Sequence, residues 1–152
     1  MSGPRFSTRA EYGLRALIDL AAHPQAAPVR AGDLAARQAV PVHYLEQLLS
    51  FLRQAGLVRS VRGARGGFAL ARPAGDITLL EALTALEGDP LLAQCLESTA
   101  KENCPKASAC ALRAVWEDLT RLLKDRLGSL SLEQVCQEQL RLEREVQPVY
   151  YI

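Results

Sequence analysis

Three of the four cysteines fall within sixteen residues, as Cys95, Cys104 and Cys110 in a C-x8-C-x5-C pattern. Thiolates hold zinc and iron–sulfur centres, and a thiol beside positive charge can act instead as a redox group. In a reducing compartment a triad of this kind suits a metal or iron–sulfur site better than a disulfide framework. The opening residues speak to the compartment. Glu11, Arg15 and Asp19 interrupt every apolar run at helical spacing, so no secretory core is present and a cytoplasmic protein is expected. No stretch reaches the ~18 uncharged apolar residues of a membrane span, and no membrane partner is expected. Two other thiol chemistries fit the same residues: a Cys104–Cys110 disulfide, or a zinc ion held by three thiolates and one further ligand. Lys101 and Lys106 flank Cys104 and supply the positive charge that thiol chemistry uses. Cys136 stands apart on a helical stretch and reads as a small buried hydrophobe.

Around these cysteines the charge is divided. Residues 1–75 hold ten Arg against four acidic residues, 10 − 4 = +6, and residues 76–152 hold eight basic and thirteen acidic residues, 8 − 13 = −5. A basic N-terminal half joined to an acidic C-terminal half is the pattern of a nucleic-acid-binding module fused to a sensing or dimerising one. We therefore divide the chain into a DNA-binding domain, 1–75, and a segment carrying the cysteine loop and dimerisation helices, 76–152.

The first half opens with a helix from Thr8, where Thr8 and Glu11 are spaced as a capping box, and Pro24 ends it. A short helix is predicted over Ala31–Gln38, and a third from Val42 to Ala55 after Ala39-Val40-Pro41, with Leu45, Leu48, Leu49 and Leu52 in its apolar stripe. Two helices joined by a turn of this length match a helix-turn-helix. Next, residues 57–62 alternate like a strand, Gly63–Gly67 is a turn, and Phe68–Ala71 is a second strand, together a β-hairpin wing. Arg53, Arg59, Arg62, Arg65 and Arg72 lie between Glu46 and Asp76 with no acidic residue among them. Arginine forks suit phosphates and narrow minor grooves, so Arg59, Arg62 and Arg65 are candidate DNA contacts.

The run PVHYLEQLLSFLRQAGLVRSVRGARGGFAL, Pro41 to Leu70, resembles the recognition helix and wing of bacterial winged-helix regulators of the iron–sulfur cluster regulator family. That family also includes nitric-oxide sensors and a cysteine-metabolism repressor. The resemblance extends from Phe6 through the long C-terminal helix. It implies a mainly α fold: a winged helix-turn-helix with a small β-hairpin wing, followed by a long C-terminal dimerisation helix. It also implies that His43, Glu46 and Gln47 face base edges in the major groove while Arg62 enters the adjacent minor groove. The chemistry agrees, since Glu accepts from cytosine N4 and Gln pairs with adenine.

In the second half a Thr78–Glu81 capping box starts a helix that runs to about Glu87, and Gly88-Asp89-Pro90 ends it. After the cysteine loop a helix is predicted from near Ala109 to Leu127, stopped by Gly128. Leu112, Val115, Trp116, Leu119, Leu122 and Leu123 form its stripe, with Glu117–Arg121 and Arg121–Asp125 pairs on its flank. The stripe suits a core helix or self-association, and the resemblance implies a homodimer interface that presents two recognition helices to a pseudo-palindromic double-stranded DNA operator. A last helix is predicted from Leu132, after a Ser131–Gln134 capping pair, to about Glu145.

The resemblance further implies that Cys95, Cys104 and Cys110 ligate a 2Fe-2S or 4Fe-4S iron–sulfur cluster. Three residues after the last cysteine, where the iron–sulfur cluster regulator itself has a His ligand, this chain has Arg113, which stays protonated and cannot bind iron. The fourth ligand must then come from elsewhere. Glu11 matches a position where some relatives supply a carboxylate, and it is also the expected capping partner of Thr8. The expected function is a dimeric transcription regulator, acting as a repressor that senses nitric oxide, redox state or iron–sulfur status. The alternative keeps the DNA-binding half and senses through thiols, zinc or a partner enzyme. No enzyme is expected. His23 precedes Pro24, His43 has no neighbouring Cys or Ser, and the Gly63–Gly67 turn joins two strands rather than leading into a phosphate-binding helix.

Overall fold

The computed structural model describes residues 6–24, 27–97 and 104–146. Lys101 and the tail 147–152 lie outside them. Six helices and one hairpin make up the described chain: α1 (Thr8–Ala21), α2 (Ala31–Gln38), α3 (Val42–Gln54), β1 (Val58–Val61), β2 (Gly67–Leu70), α4 (Leu79–Glu87), α5 (Ala111–Ser129) and α6 (Leu132–Val146). The mainly helical winged-helix fold expected from the sequence is the fold observed.

Helix α1 is the central element, packing against α2, α3, α4 and α6. Its Leu17 and Leu20 meet Leu34 of α2, Leu45, Leu48, Leu49 and Leu52 of α3, Leu86 of α4 and Leu132 of α6 in one apolar cluster. Each such side chain, once fully buried, contributes about 1.5–3 kcal/mol relative to exposure. The core thus draws on both sides of the 75/76 division. Gly13 lets α1 pack closely on α4, since a Cβ there would collide with the Leu86 side chain.

The N-terminal cap differs from the expected one. Ser7, not Thr8, is the cap, its hydroxyl accepting from the Ala10 N–H at 3.3 Å. The Ser7 N–H donates to Glu87 of α4 at 2.5 Å, so the reciprocal bond of a capping box is supplied from 80 residues away. Glu11 is thereby released from capping and pairs with Arg15 at 2.5 Å. The other two boxes form as expected, with the Glu81 N–H donating to Thr78 Oγ1 at 3.1 Å and the Gln134 N–H to Ser131 Oγ at 3.2 Å.

Gly128 does not stop α5, which continues to Ser129; Gly128 faces Leu80 of α4 across a helix contact. Of the flanking ion pairs, the structure forms Arg113–Glu117 and Arg121–Asp118 rather than the expected Glu117–Arg121 and Arg121–Asp125. The hairpin pairs Val58 with Leu70 through Val61 with Gly67. Val29, ahead of α2, adds a bridge to Phe68 with N–H···O bonds of 2.7 and 2.8 Å. A Cβ at Gly67 would strike the Val29 carbonyl, which is why the turn ends on glycine.

Candidate functional site

Helix α3 buries Leu45, Leu48, Leu49 and Leu52 and turns its other face outward. A left-handed residue, Ala39 with φ 53°, closes α2, and Pro41 caps α3 with its fixed φ. This tight turn leaves the first turns of α3 at the surface, where His43, Glu46 and Gln47 are all exposed. Gln47 Nε2 lies 3.2 Å from His43 Nε2, so the two share one polar patch. No ion pair within the described residues involves Glu46.

Arg59, Arg62 and Arg65 are exposed along the wing and its tip. Neither Arg62 nor Arg65 is paired with a carboxylate among the described residues. Two supports of this surface lack a local sequence signal. Arg30 Nη2 donates to the Ala64 carbonyl at 2.7 Å, fixing the wing tip to the start of α2. Asp19 of α1 accepts two bonds of 2.8 Å from Arg37 and one of 3.3 Å from Gln38, clamping α2 to α1. Asp19 and Arg37 were visible only as unlike charges eighteen residues apart. The pairing holds the Arg37 guanidinium above its ordinary range, mainly through its hydrogen bond to Asp19.

The cysteines occupy the connection from α4 to α5. Cys95 sits in a 3-10 turn, Gln94–Leu96, Cys104 precedes a second such turn at Ala107–Ala109, and Cys110 is the N-cap residue of α5. All three are half-buried free thiols. The connection is strapped along α5: the Leu92 N–H donates to the buried Thr120 Oγ1 at 3.4 Å, and Lys124 pairs with Asp89 at 2.5 Å. A cleft of about 440 Å³ between Leu91, Leu96 and Thr120 lies alongside this strap.

Among the described residues no three Cys, His, Asp or Glu side chains gather closely enough to hold a metal ion. Glu11 is about half exposed and tied to Arg15. The donor chemistry nevertheless fits a thiolate-held cluster. Cys110 heads a 19-residue helix whose first N–H groups receive no side-chain cap. On the same first turn Arg113 Nη1 is buried without a hydrogen-bond partner among the described residues. Cys136 differs in kind: it is buried on α6, and desolvation, followed by Glu143 and Glu133, pushes its thiol up.

On α5, Leu112, Val115, Trp116, Leu119 and Leu122 are exposed, by 63%, 49%, 36%, 40% and 56%, and Leu123 is half-buried. No helix of the described chain is long and apolar enough to cross a membrane.

Comparison with known proteins bears on this arrangement. A family described as Rrf2, iron-dependent transcriptional regulator, matches residues 6–138. The chain is 38% identical over 135 residues to the HTH-type transcriptional regulator IscR of Xenorhabdus nematophila, covering 89% of this chain and 80% of that protein. Its fold superposes on T. potens IscR with a TM-score of 0.73 at 34% identity, covering 98% and 95% of the two chains. It superposes likewise on CymR, the global cysteine regulator of B. subtilis, with a TM-score of 0.71 at 34% identity, covering 89% and 98%.

Proposed function

Because the chain belongs to the Rrf2 family of transcriptional regulators and is no enzyme, we propose that it is a homodimeric repressor whose three-cysteine loop holds an iron–sulfur cluster. The observation that carries the DNA side is the joining of an exposed polar patch, His43, Glu46 and Gln47, to a wing bearing Arg59, Arg62 and Arg65. His43, Glu46 and Gln47 read base edges in the major groove, and Arg62 takes the neighbouring minor groove. Arg59 and Arg65 hold phosphates. The apolar stripe of α5, from Leu112 to Leu123, joins two copies so that paired recognition helices meet a pseudo-palindromic operator.

On this reading Cys95, Cys104 and Cys110 hold the cluster, and Glu11 of α1 is the candidate for a fourth ligand. When bound, such a centre supplies chemistry that nitric oxide, oxidants or iron shortage can alter. Cys110 begins the very helix that carries the dimer stripe, so holding or releasing its thiolate changes the N-terminal anchoring of α5. A shift of that helix alters the spacing of the two DNA-binding halves. The domain division at 75/76 separates these two roles while both share one core.

A second reading has its own support in the likeness to CymR, the global cysteine regulator of B. subtilis. In it, thiol or disulfide chemistry of Cys104 and Cys110, a zinc ion, or a partner enzyme carries the signal. Anaerobic purification followed by a visible spectrum and assays of iron, acid-labile sulfide and zinc separates the two. A brown protein with stoichiometric iron and sulfide supports the cluster. A colourless, iron-free protein that still binds DNA overturns it in favour of the second reading.

A further inference from the structure

Arg113 is the polar group on the cysteine side of the molecule that the proposed function leaves unused. It lies three residues beyond Cys110, just under one turn along α5 and on the same face. Its side chain is only 13% exposed, and its Nε donates to Glu117 Oε1 at 2.9 Å. That bond fixes the guanidinium, yet Nη1 is fully buried and finds no acceptor among the described residues. A buried, permanently charged donor left without an acceptor is strongly disfavoured. The same turn has a second vacancy of the same sign, the uncapped N–H groups that follow Cys110. Both features await negative charge at one end of one helix.

We infer that Arg113 is the charge-balancing donor of the cysteine site, giving its Nη1–H to a sulfur of the cluster held by Cys95, Cys104 and Cys110. The inference rests on the iron–sulfur reading above. Arginine cannot ligate iron, but its delocalised, weakly hydrated cation can lie against sulfur in a dry setting. Hydrogen bonds to sulfur and nearby positive charge both favour the reduced, more negative state of such a centre. Arg113 thus positions and tunes the site rather than binding the metal, with Glu117 orienting it.

The test compares the full-length wild type with R113Q and R113K, each purified anaerobically and titrated with dithionite while the visible spectrum is followed. In that titration the centre accepts one electron from dithionite. R113Q is expected to reduce less readily, by about tenfold in equilibrium constant, or ~59 mV for one electron. R113K keeps the charge and is expected to recover most of the loss. Resonance Raman bands of iron–sulfur stretching in the wild type should shift when H2O is replaced by D2O, and this shift should be smaller in R113Q, where only backbone N–H groups and a neutral amide remain as donors. Equal potentials in wild type and R113Q, with equal deuterium shifts, would overturn the inference while leaving the cluster intact. If R113Q folds but retains no iron, the deuterium shift is compared between wild type and R113K: a smaller shift in R113K sustains the inference and an identical one refutes it. A wild type lacking iron and sulfide overturns the iron–sulfur reading itself, and the inference with it.

Discussion

At the scale of single residues, charge that the protein leaves unpaired points to its partners. Arg62 sits at the hairpin tip without a carboxylate among the described residues, held at the surface by a β-hairpin that Arg30 and Val29 brace from below. Replacing Arg62 with alanine removes no core contact, so the fold should survive. If the residue reads the minor groove, specific operator binding should weaken by about 1–3 kcal/mol, and discrimination at the bases it faces should relax. Gel-shift titration against operator and scrambled duplex checks both effects; an equal loss on both duplexes would make Arg62 a phosphate contact. The cysteines separate in the same way. Burial pushes the Cys136 thiol up, with Glu143 and Glu133 adding to it, whereas the three loop thiols are half-exposed. Since the thiolate is the nucleophile, iodoacetamide should label Cys136 last in the cluster-free protein, as peptide mapping would show. Its raised value means that the native state keeps a proton the unfolded state releases. That contribution to stability is present below the ordinary thiol value of ~8.5 and is lost as pH rises toward the native one.

At the scale of elements, local patterns were legible where both partners lie within one turn. Thr78 and Glu81 form the box that starts α4, and the Thr78 N–H, then Arg72, hold the Glu81 carboxyl below its usual range. Thr78→Ala should cost about 0.5–2 kcal/mol, read as a lower urea midpoint at neutral pH. Because the native value of Glu81 is depressed, its contribution is present above the unfolded value of ~4.3 and fades as pH falls through the native one. The cost of Glu81→Gln, which removes that carboxylate, should therefore shrink in acid, and urea melts from pH 7 down to pH 3 would reveal the convergence. The Ser131 box, the bounds of α2 and the two strands were readable for the same local reason. Ser7 was missed because two adjacent hydroxyl residues compete for one cap and Glu87, 80 residues away, settles the matter. Gly128 was misread because helix propensity is overridden where α5 lies against Leu80. The Val29–Phe68 bridge and the Asp19–Arg37 clamp join segments far apart in sequence and leave no periodic trace. The cysteine spacing announced thiol chemistry, but the unsatisfied nitrogen of Arg113 exists only once α5 is packed.

At the scale of the whole molecule, α5 is covered on one side only. Thr120 is buried under the strap from Leu92, and Gly128 rests near Leu80, while Leu112, Val115, Trp116, Leu119 and Leu122 stay exposed on the rest of the helix. Five large apolar side chains along one 19-residue helix form a contiguous patch of the kind that marks an interaction surface. The proposed homodimer assigns this surface to a second copy, since a two-fold pair of identical helices would set the stripe against itself. Burying such side chains is worth about 1.5–3 kcal/mol each before the cost of association, enough for several to sustain a dimer. Leu122 is 56% exposed and belongs to no core cluster, so Leu122→Glu should leave the helical circular dichroism unchanged. Two glutamates facing each other across the two-fold would each lose solvation on pairing, and the variant should sediment as a monomer at concentrations where the wild type is a dimer. A monomer carries one recognition helix and one wing, so its affinity for the full operator should drop to that for an isolated half-site, while its contacts within the half-site persist. A Leu122→Glu protein that remains dimeric and binds the full operator undiminished would place the interface elsewhere, and would uncouple Cys110, at the head of α5, from the spacing of the DNA-binding halves.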